Sequence, residues 1–139
     1  MLAGEPGVPA TALQRGVEWL WNAQEADGSW FGRWGVNYVY GTGAAVPALI
    51  AAGVTCDDPR IRSAVSWLES HQNDDGGWGE DLRSYVDESW RGRGESTASQ
   101  TAWALLALLA AGSDGSDATR RGIEWLVRNQ TAEGTWDEP

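Results

Sequence analysis

Apolar residues recur along this chain in two alternating patterns. The first is a stripe on an otherwise polar helix. Leu13, Val17, Leu20 and Trp21 keep the three-and-four spacing of one helix face. Ile61, Ala64, Val65 and Leu68 repeat it, and Ile123, Leu126 and Val127 repeat it again. Thr11 and Gln14 are spaced for a capping box, Asp58 and Pro59 for an N-cap with proline at the first helical position, and the third helix starts near Ser116 or Thr119. The second pattern is apolar all round. "GTGAAVPALIAAG" (41–53) and "STASQTAWALLALLAAG" (96–112) are rich in Ala and Gly and lack a polar face, which predicts helices buried on every side. Thr97 and Gln100 can cap the second of these, Gly53 and Gly112 end the pair, and Pro47 predicts a kink or a late start in the first. Half-wet helices alternating with enclosed ones predict an all-α fold, part of a double-layered α/α barrel or a layered helical array.

Each outer stripe ends in the same heptad. "QEADGSW" holds Gln24, Gly28 and Trp30; "QNDDGGW" holds Gln72, Gly76 and Trp78; "QTAEGTW" holds Gln130, Gly134 and Trp136. The likeness extends upstream through the pairs Trp19-Leu20, Trp67-Leu68 and Trp125-Leu126, and through one small position held by Gly16, Ala64 and Gly122. A recurrence of this length marks an array of supersecondary units. The Gln closes each helix and the Gly supplies the turn. The Gln amide is expected to bond free backbone groups at the helix end with the Trp ring flat upon it, making the heptad a stitch between outer and inner helices. The expected organisation is a flexible segment over 1–10, then a partial barrel over 11–139 with repeats around 15–30, 63–78 and 121–136.

Composition narrows the partners. With 139 residues, 42% of them hydrophobic, the chain has the size of one domain, and no apolar run is long enough to cross a bilayer. Cys56 is the only cysteine, so an internal disulfide is excluded. A net charge of −10 with scattered arginines and no basic patch argues against nucleic acid. The 10 Trp against one Phe and three Tyr invert ordinary aromatic usage, and Trp21, Trp34, Trp90 and Trp103 fall outside the repeat. Asp74-Asp75 and Glu80-Asp81 read as turn acids rather than a metal or catalytic motif. His71, at the end of an outer helix, reads as solvated. "RGRGES" (91–96) reads as a mobile loop without the ending of a phosphate cradle.

The three heptads, together with "DGSWFGRWGVNYVYGTG", "QNDDGGWGEDLRSY" and "STASQTAWALLAL", resemble the QW repeats of the triterpene cyclases, and within them the bacterial squalene–hopene branch. The resemblance covers nearly all of residues 11–139. It implies an isomerase that protonates a terminal double bond of squalene and lets a carbocation cascade close the rings, with no metal or redox cofactor. It also implies a cytoplasmic enzyme with peripheral membrane association. By motif match, Trp34 corresponds to an aromatic lining the reaction cavity, Tyr40 to a tyrosine that orients the acid, and Arg33 to a charged member of the same network. Ordinary core aromatics and a structural ion pair are the plainer readings of these three, and packing is the reading for Trp103.

The family's acid lies in an Asp-X-Asp-Asp string, and no such string occurs in this sequence. The chain is therefore expected to be a C-terminal fragment, inactive alone and completed by the rest of a cyclase chain. The alternative is a free-standing helical-repeat module for apolar ligands or a protein partner. Self-association through uncovered inner helices is a further expectation.

Overall fold

The computed structural model describes Gly7 and residues 9–139, so most of the expected flexible segment lies outside the described residues. Among these, five α-helices follow in order: α1 (Ala10–Ala23), α2 (Tyr38–Ala51), α3 (Pro59–Ser70), α4 (Ala98–Ala110) and α5 (Asp117–Asn129). Two short 3-10 turns, Leu82–Tyr85 and Glu88–Trp90, lie between α3 and α4. The expected all-α fold is what forms, with α1, α3 and α5 outside and α2 and α4 inside.

Most helix ends follow from their sequence. Asp58 accepts from the Arg60 amide at 2.9 Å with Pro59 opening α3, Thr97 accepts from the Gln100 amide at 3.3 Å, and Ser116 accepts from the Thr119 amide at 3.1 Å. Gly53 (φ 103) and Gly112 (φ 76) end the inner helices in Schellman turns. In these, Val54 bonds back to Leu49 at 3.1 Å and Ser113 to Leu108 at 2.9 Å. Two expectations fail. The Thr11–Gln14 capping box does not form, because α1 already begins at Ala10 with Pro9 as its N-cap. Thr11 is then inside the helix, and the Gln14 amide donates to Glu18 instead. Pro47 does not delay α2, which starts at Tyr38 and runs on through the proline.

The inner pair forms the centre. α2 crosses α4 so closely that a Cβ on Gly43 would stand 2.6 Å from the Trp103 carbonyl, so only glycine fits there. α3 packs on both inner helices, α1 on α2 and α5 on α4. Val39, Val46 and Leu49 of α2, Ile61 and Leu68 of α3, and Ala104 and Leu108 of α4 are completely buried. Yet the inner helices are not enclosed on every side, as their composition predicts. Leu106 and Leu109 remain about half exposed, as does Ile123 on the expected apolar face of α5, and Val127 on that face is more open still. No described element packs on those faces.

The heptads stitch helices, but the task expected of the Gln falls to the Trp. The Trp indole, not the Gln, reaches a carbonyl in the last turns of the helix: Trp30 donates to Leu20 O at 2.7 Å, Trp78 to Leu68 O at 2.8 Å and Trp136 to Leu126 O at 2.8 Å. The Gln amide closes its own turn onto Gly28, Gly76 or Gly134. In the first two heptads it also crosses to the next outer helix, at Arg60 O (3.0 Å) and Ala118 O (2.9 Å). The link to the inner layer is the Trp backbone amide, which donates to Thr42 Oγ1 from Trp30 and to Thr101 Oγ1 from Trp78, each at 3.0 Å.

Candidate functional site

Between the first heptad and α2 the chain makes an irregular passage, residues 31–37, which holds Arg33 and Trp34 and leads into Tyr40. Its backbone is unusual. Gly35 (φ 74) and Val36 (φ 34) both have positive φ, and a β-branched residue pays for that geometry. Asn37 follows in a further non-helical conformation (φ −137, ψ −79) before α2 starts. A chain left to itself would relax such a stretch, so the neighbours must hold it.

They hold it from several sides. Glu80 Oε2 accepts from the amides of Asn37 at 2.6 Å and Tyr38 at 2.5 Å, while its other oxygen accepts from Gly92. A carboxylate here also complements the positive end of the α2 dipole. Burial pushes the Glu80 carboxyl above its usual range, against the lowering effect of those amides. Gln100, buried on α4, donates through Nε2 to Gly35 O at 2.7 Å and to Val36 O. Asn37 accepts from the Gly32 amide at 3.2 Å and donates to Ser84 Oγ at 3.3 Å. Tyr85 donates to Arg33 O at 3.1 Å.

The orientation of Gln100 has a cost. With Nε2 on two carbonyls, Oε1 is buried without a partner among the described residues. Turning the amide over would aim an oxygen at two carbonyl oxygens, which is worse. A buried acceptor without a partner costs about 1–3 kcal/mol, and an apolar side chain of equal size would avoid it.

The sequence-predicted residues occupy different environments. Trp34 is 73% exposed and makes no ring–ring contact among the described residues. Arg33 is exposed too, with no ion pair among the described residues. Tyr40 is half-buried. Its ring lies over Gly32 and Gly35, where a Cβ would come within 2.6 and 2.9 Å, and meets the Trp103 ring edge-on at 4.9 Å. Beside it a hollow of about 220 Å³ opens, walled by Trp19, Trp30, Phe31 and Tyr40. The arrangement presents aromatic faces, one exposed and one recessed, on a stiffened backbone. Such faces stabilise a nearby cation by about 0.5–2 kcal/mol each.

Other residues act differently from their sequence reading. His71 is packed rather than solvated: its ring stacks on Trp67 at 4.3 Å and its Nδ1 lies 2.7 Å from Trp67 O. The "RGRGES" stretch is tied down and not mobile. Arg91 pairs with Glu25, Asp27 and Glu88 and lies 4.3 Å over the Tyr38 ring, while Asn73 and Asp75 bond Gly94 O and Ser96 Oγ. Glu80 and Gln100 were not legible as site residues. Glu80 reads locally as a turn acid and Gln100 as a cap. The one available signal was Gln100, the longest polar side chain on a largely apolar helix.

Residues 5–139 match the family model described as the squalene-hopene cyclase C-terminal domain. The chain is 58% identical over 127 residues to the squalene–hopene cyclase of Alicyclobacillus acidocaldarius, covering 91% of this chain and 20% of that protein. It is 53% identical over 127 residues to that of Zymomonas mobilis, covering 91% of this chain and 19% of the other. Against that of Bradyrhizobium diazoefficiens it is 51% identical over 136 residues, 97% of this chain and 21% of the relative. The chain belongs to the squalene-hopene cyclase C-terminal domain family. It spans about a fifth of the length of these curated relatives.

Proposed function

We infer that this chain serves a squalene–hopene-type triterpene cyclase by bringing Trp34, Tyr40 and Arg33 to the cavity of the complete enzyme. The observation that carries the reading is Trp34: a large aromatic, 73% exposed, directly before a backbone stretch of unusual conformation that Glu80 and Gln100 hold. Stability alone gives no reason to leave so large an indole exposed beside a backbone held this way. The named relatives are squalene–hopene cyclases, which supplies the substrate class, a linear polyene.

The chemistry is an isomerisation. A proton adds to the inner, less substituted carbon of the polyene's end double bond, leaving a tertiary cation on the outer one. Each neighbouring double bond then donates its electron pair to close a ring and passes the charge along. Loss of a proton from the last cation restores neutrality. Trp34 and Tyr40 face the transient charge with their π-electrons, and the Tyr40 hydroxyl orients the acid through hydrogen bonds. Arg33 belongs to the charged network around that acid. This chain has no Asp-X-Asp-Asp string, so by itself it turns nothing over. Peripheral attachment to a membrane is part of the same reading. No described helix is long and apolar enough to cross one.

The test is squalene incubated with this chain alone and with the remaining part of a squalene–hopene cyclase added, followed by gas chromatography. Cyclised product only in the supplemented sample, lost with Trp34→Ala, supports the reading. Product from the chain alone, or none in either sample, overturns it. A second reading, an apolar-surface module that pairs with itself or another protein, is favoured by the half-exposed Leu106, Leu109 and Ile123. Sedimentation over a concentration series tests the self-pairing, and a constant monomer mass rejects it.

A further inference from the structure

We propose that Glu80 and Gln100 are positioning residues for the cyclisation, acting through the backbone of residues 35–38 to fix Trp34; the proposal rests on the cyclase reading of that segment. Neither residue touches the hollow beside Tyr40. Both act on main-chain atoms. Glu80 receives the amides of Asn37 and Tyr38, and Gln100 holds the carbonyls of Gly35 and Val36, so the two side chains grip successive peptides from opposite sense. The two grips meet on the Val36–Asn37 peptide, held at its carbonyl by Gln100 and at its N–H by Glu80, next to the positive φ of Val36. Trp34 stands immediately before this stretch, so its ring direction depends on the same backbone.

Three features favour positioning over simple stability. Gln100 leaves Oε1 buried and partnerless to keep both donors on the segment. Glu80 is drawn from the loop that follows the second heptad and also holds Gly92, which links the segment to the strap of residues 91–96. Finally, the remainder of the passage is bonded independently through Asn37, Ser84 and Tyr85. Losing one grip should therefore shift the segment without unfolding it.

The experiment uses the chain uniformly labelled with 5-fluorotryptophan and observed by fluorine NMR, the Trp34 resonance being assigned with Trp34→Phe. In Gln100→Met and Glu80→Gln, the Trp34 signal is expected to shift or split while those of Trp78 and Trp125 keep their positions. An unmoved Trp34 signal, or one that moves only together with Trp78, overturns the proposal. In the supplemented squalene assay the same variants should lower kcat about tenfold with KM unchanged, since substrate still binds but meets a misplaced ring. A matching fall in binding with kcat intact would also overturn it. If the unaltered chain fails to complement at all, the cyclase reading falls while the fluorine result still decides whether the two grips place Trp34.

Discussion

In the first two heptads the Gln amide spans two carbonyls, one in its own turn and one on the next outer helix; in the third, Gln130 holds only Gly134 O among the described residues. The same contrast runs through the motif. A Cβ on Gly28 would press on Ser63 and one on Gly76 on Arg121, both at 2.8 Å from backbone atoms, whereas Gly134 has nothing nearer than the Gln130 amide at 3.8 Å. Asp75 collects Gly77, Ser96 and Trp125, and Asp27 collects Ser29 and Arg91, but Glu133 in the matching position collects none among the described residues. Trp78 is fully buried and Trp136 is 39% exposed. Still, the third turn closes: Thr131 and Thr135 pair at 2.8 Å, as Glu25 and Ser29 do, and the indole still reaches Leu126. Seven residues suffice to make the turn. A neighbour is needed to make it a stitch.

The widest split between the heptads is expected at the tryptophans. Trp78→Ala should lower stability by about 3–5 kcal/mol through lost burial and a cavity. Trp136→Ala, still bonded but open to water, should cost no more than about 1 kcal/mol. Urea unfolding of both variants measures this, and equal losses would erase the distinction. The glycines come next. Gly76→Ala combines a left-handed backbone with a backbone clash and should cost about 2–4 kcal/mol. Gly134→Ala meets only the conformational penalty, about 1–2 kcal/mol. A smaller gap is expected at the glutamines: about 1–2 kcal/mol for Gln72→Ala, which strips two carbonyls and the Arg121 contact, against under about 0.5 kcal/mol for Gln130→Ala.

The smallest effect is one of pH, and it sharpens the comparison inside the second repeat. Burial raises the Asp75 carboxyl, but the bonds from Gly77, Ser96 and Trp125 and the charge of Arg128 outweigh it, so its pKa falls below 3.8. Its stabilisation is present above about pH 3.8 and fades as pH drops through the lowered folded value. Glu80 has the opposite sign. Its folded pKa lies above 4.5, so its contribution is whole below that pH and declines as pH rises through the raised value. Thermal midpoints between about pH 3 and 7 should show an acid-side fall that Asp75→Asn removes and a decline on the other side that Glu80→Gln removes. Unchanged profiles in both variants would refute the assignment.

What could be read early was what neighbours in sequence decide. Asp58-Pro59 starts α3 and Gly53 and Gly112 stop the inner helices because a cap or a left-handed turn involves atoms a few residues apart. The Gln, Gly and Trp of each heptad were legible as a unit, and so was the alternation of outer and inner helices. The roles within the unit were not. Which side chain takes the helix-end carbonyl depends on where the indole swings after the turn, and spacing leaves that open. Trp34, Tyr40 and Arg33 came from motif likeness; the two side chains gripping their segment came from neither likeness nor pattern.

By itself, then, the sequence determined the helices, most of their ends, the three turns and the order in which wet and apolar faces alternate, all through forces acting within about one helical turn. Only the tertiary structure decided that Glu80 and Gln100 meet residues 35–38 across separations of 42 to 65 residues. It alone decided that His71 packs on Trp67, and that Leu106 and Ile123 lie uncovered. The reason is physical. A hydrogen bond to a distant backbone, or the shelter of an apolar face, exists only once another element has docked, and nothing in a residue's own neighbourhood says which element that will be.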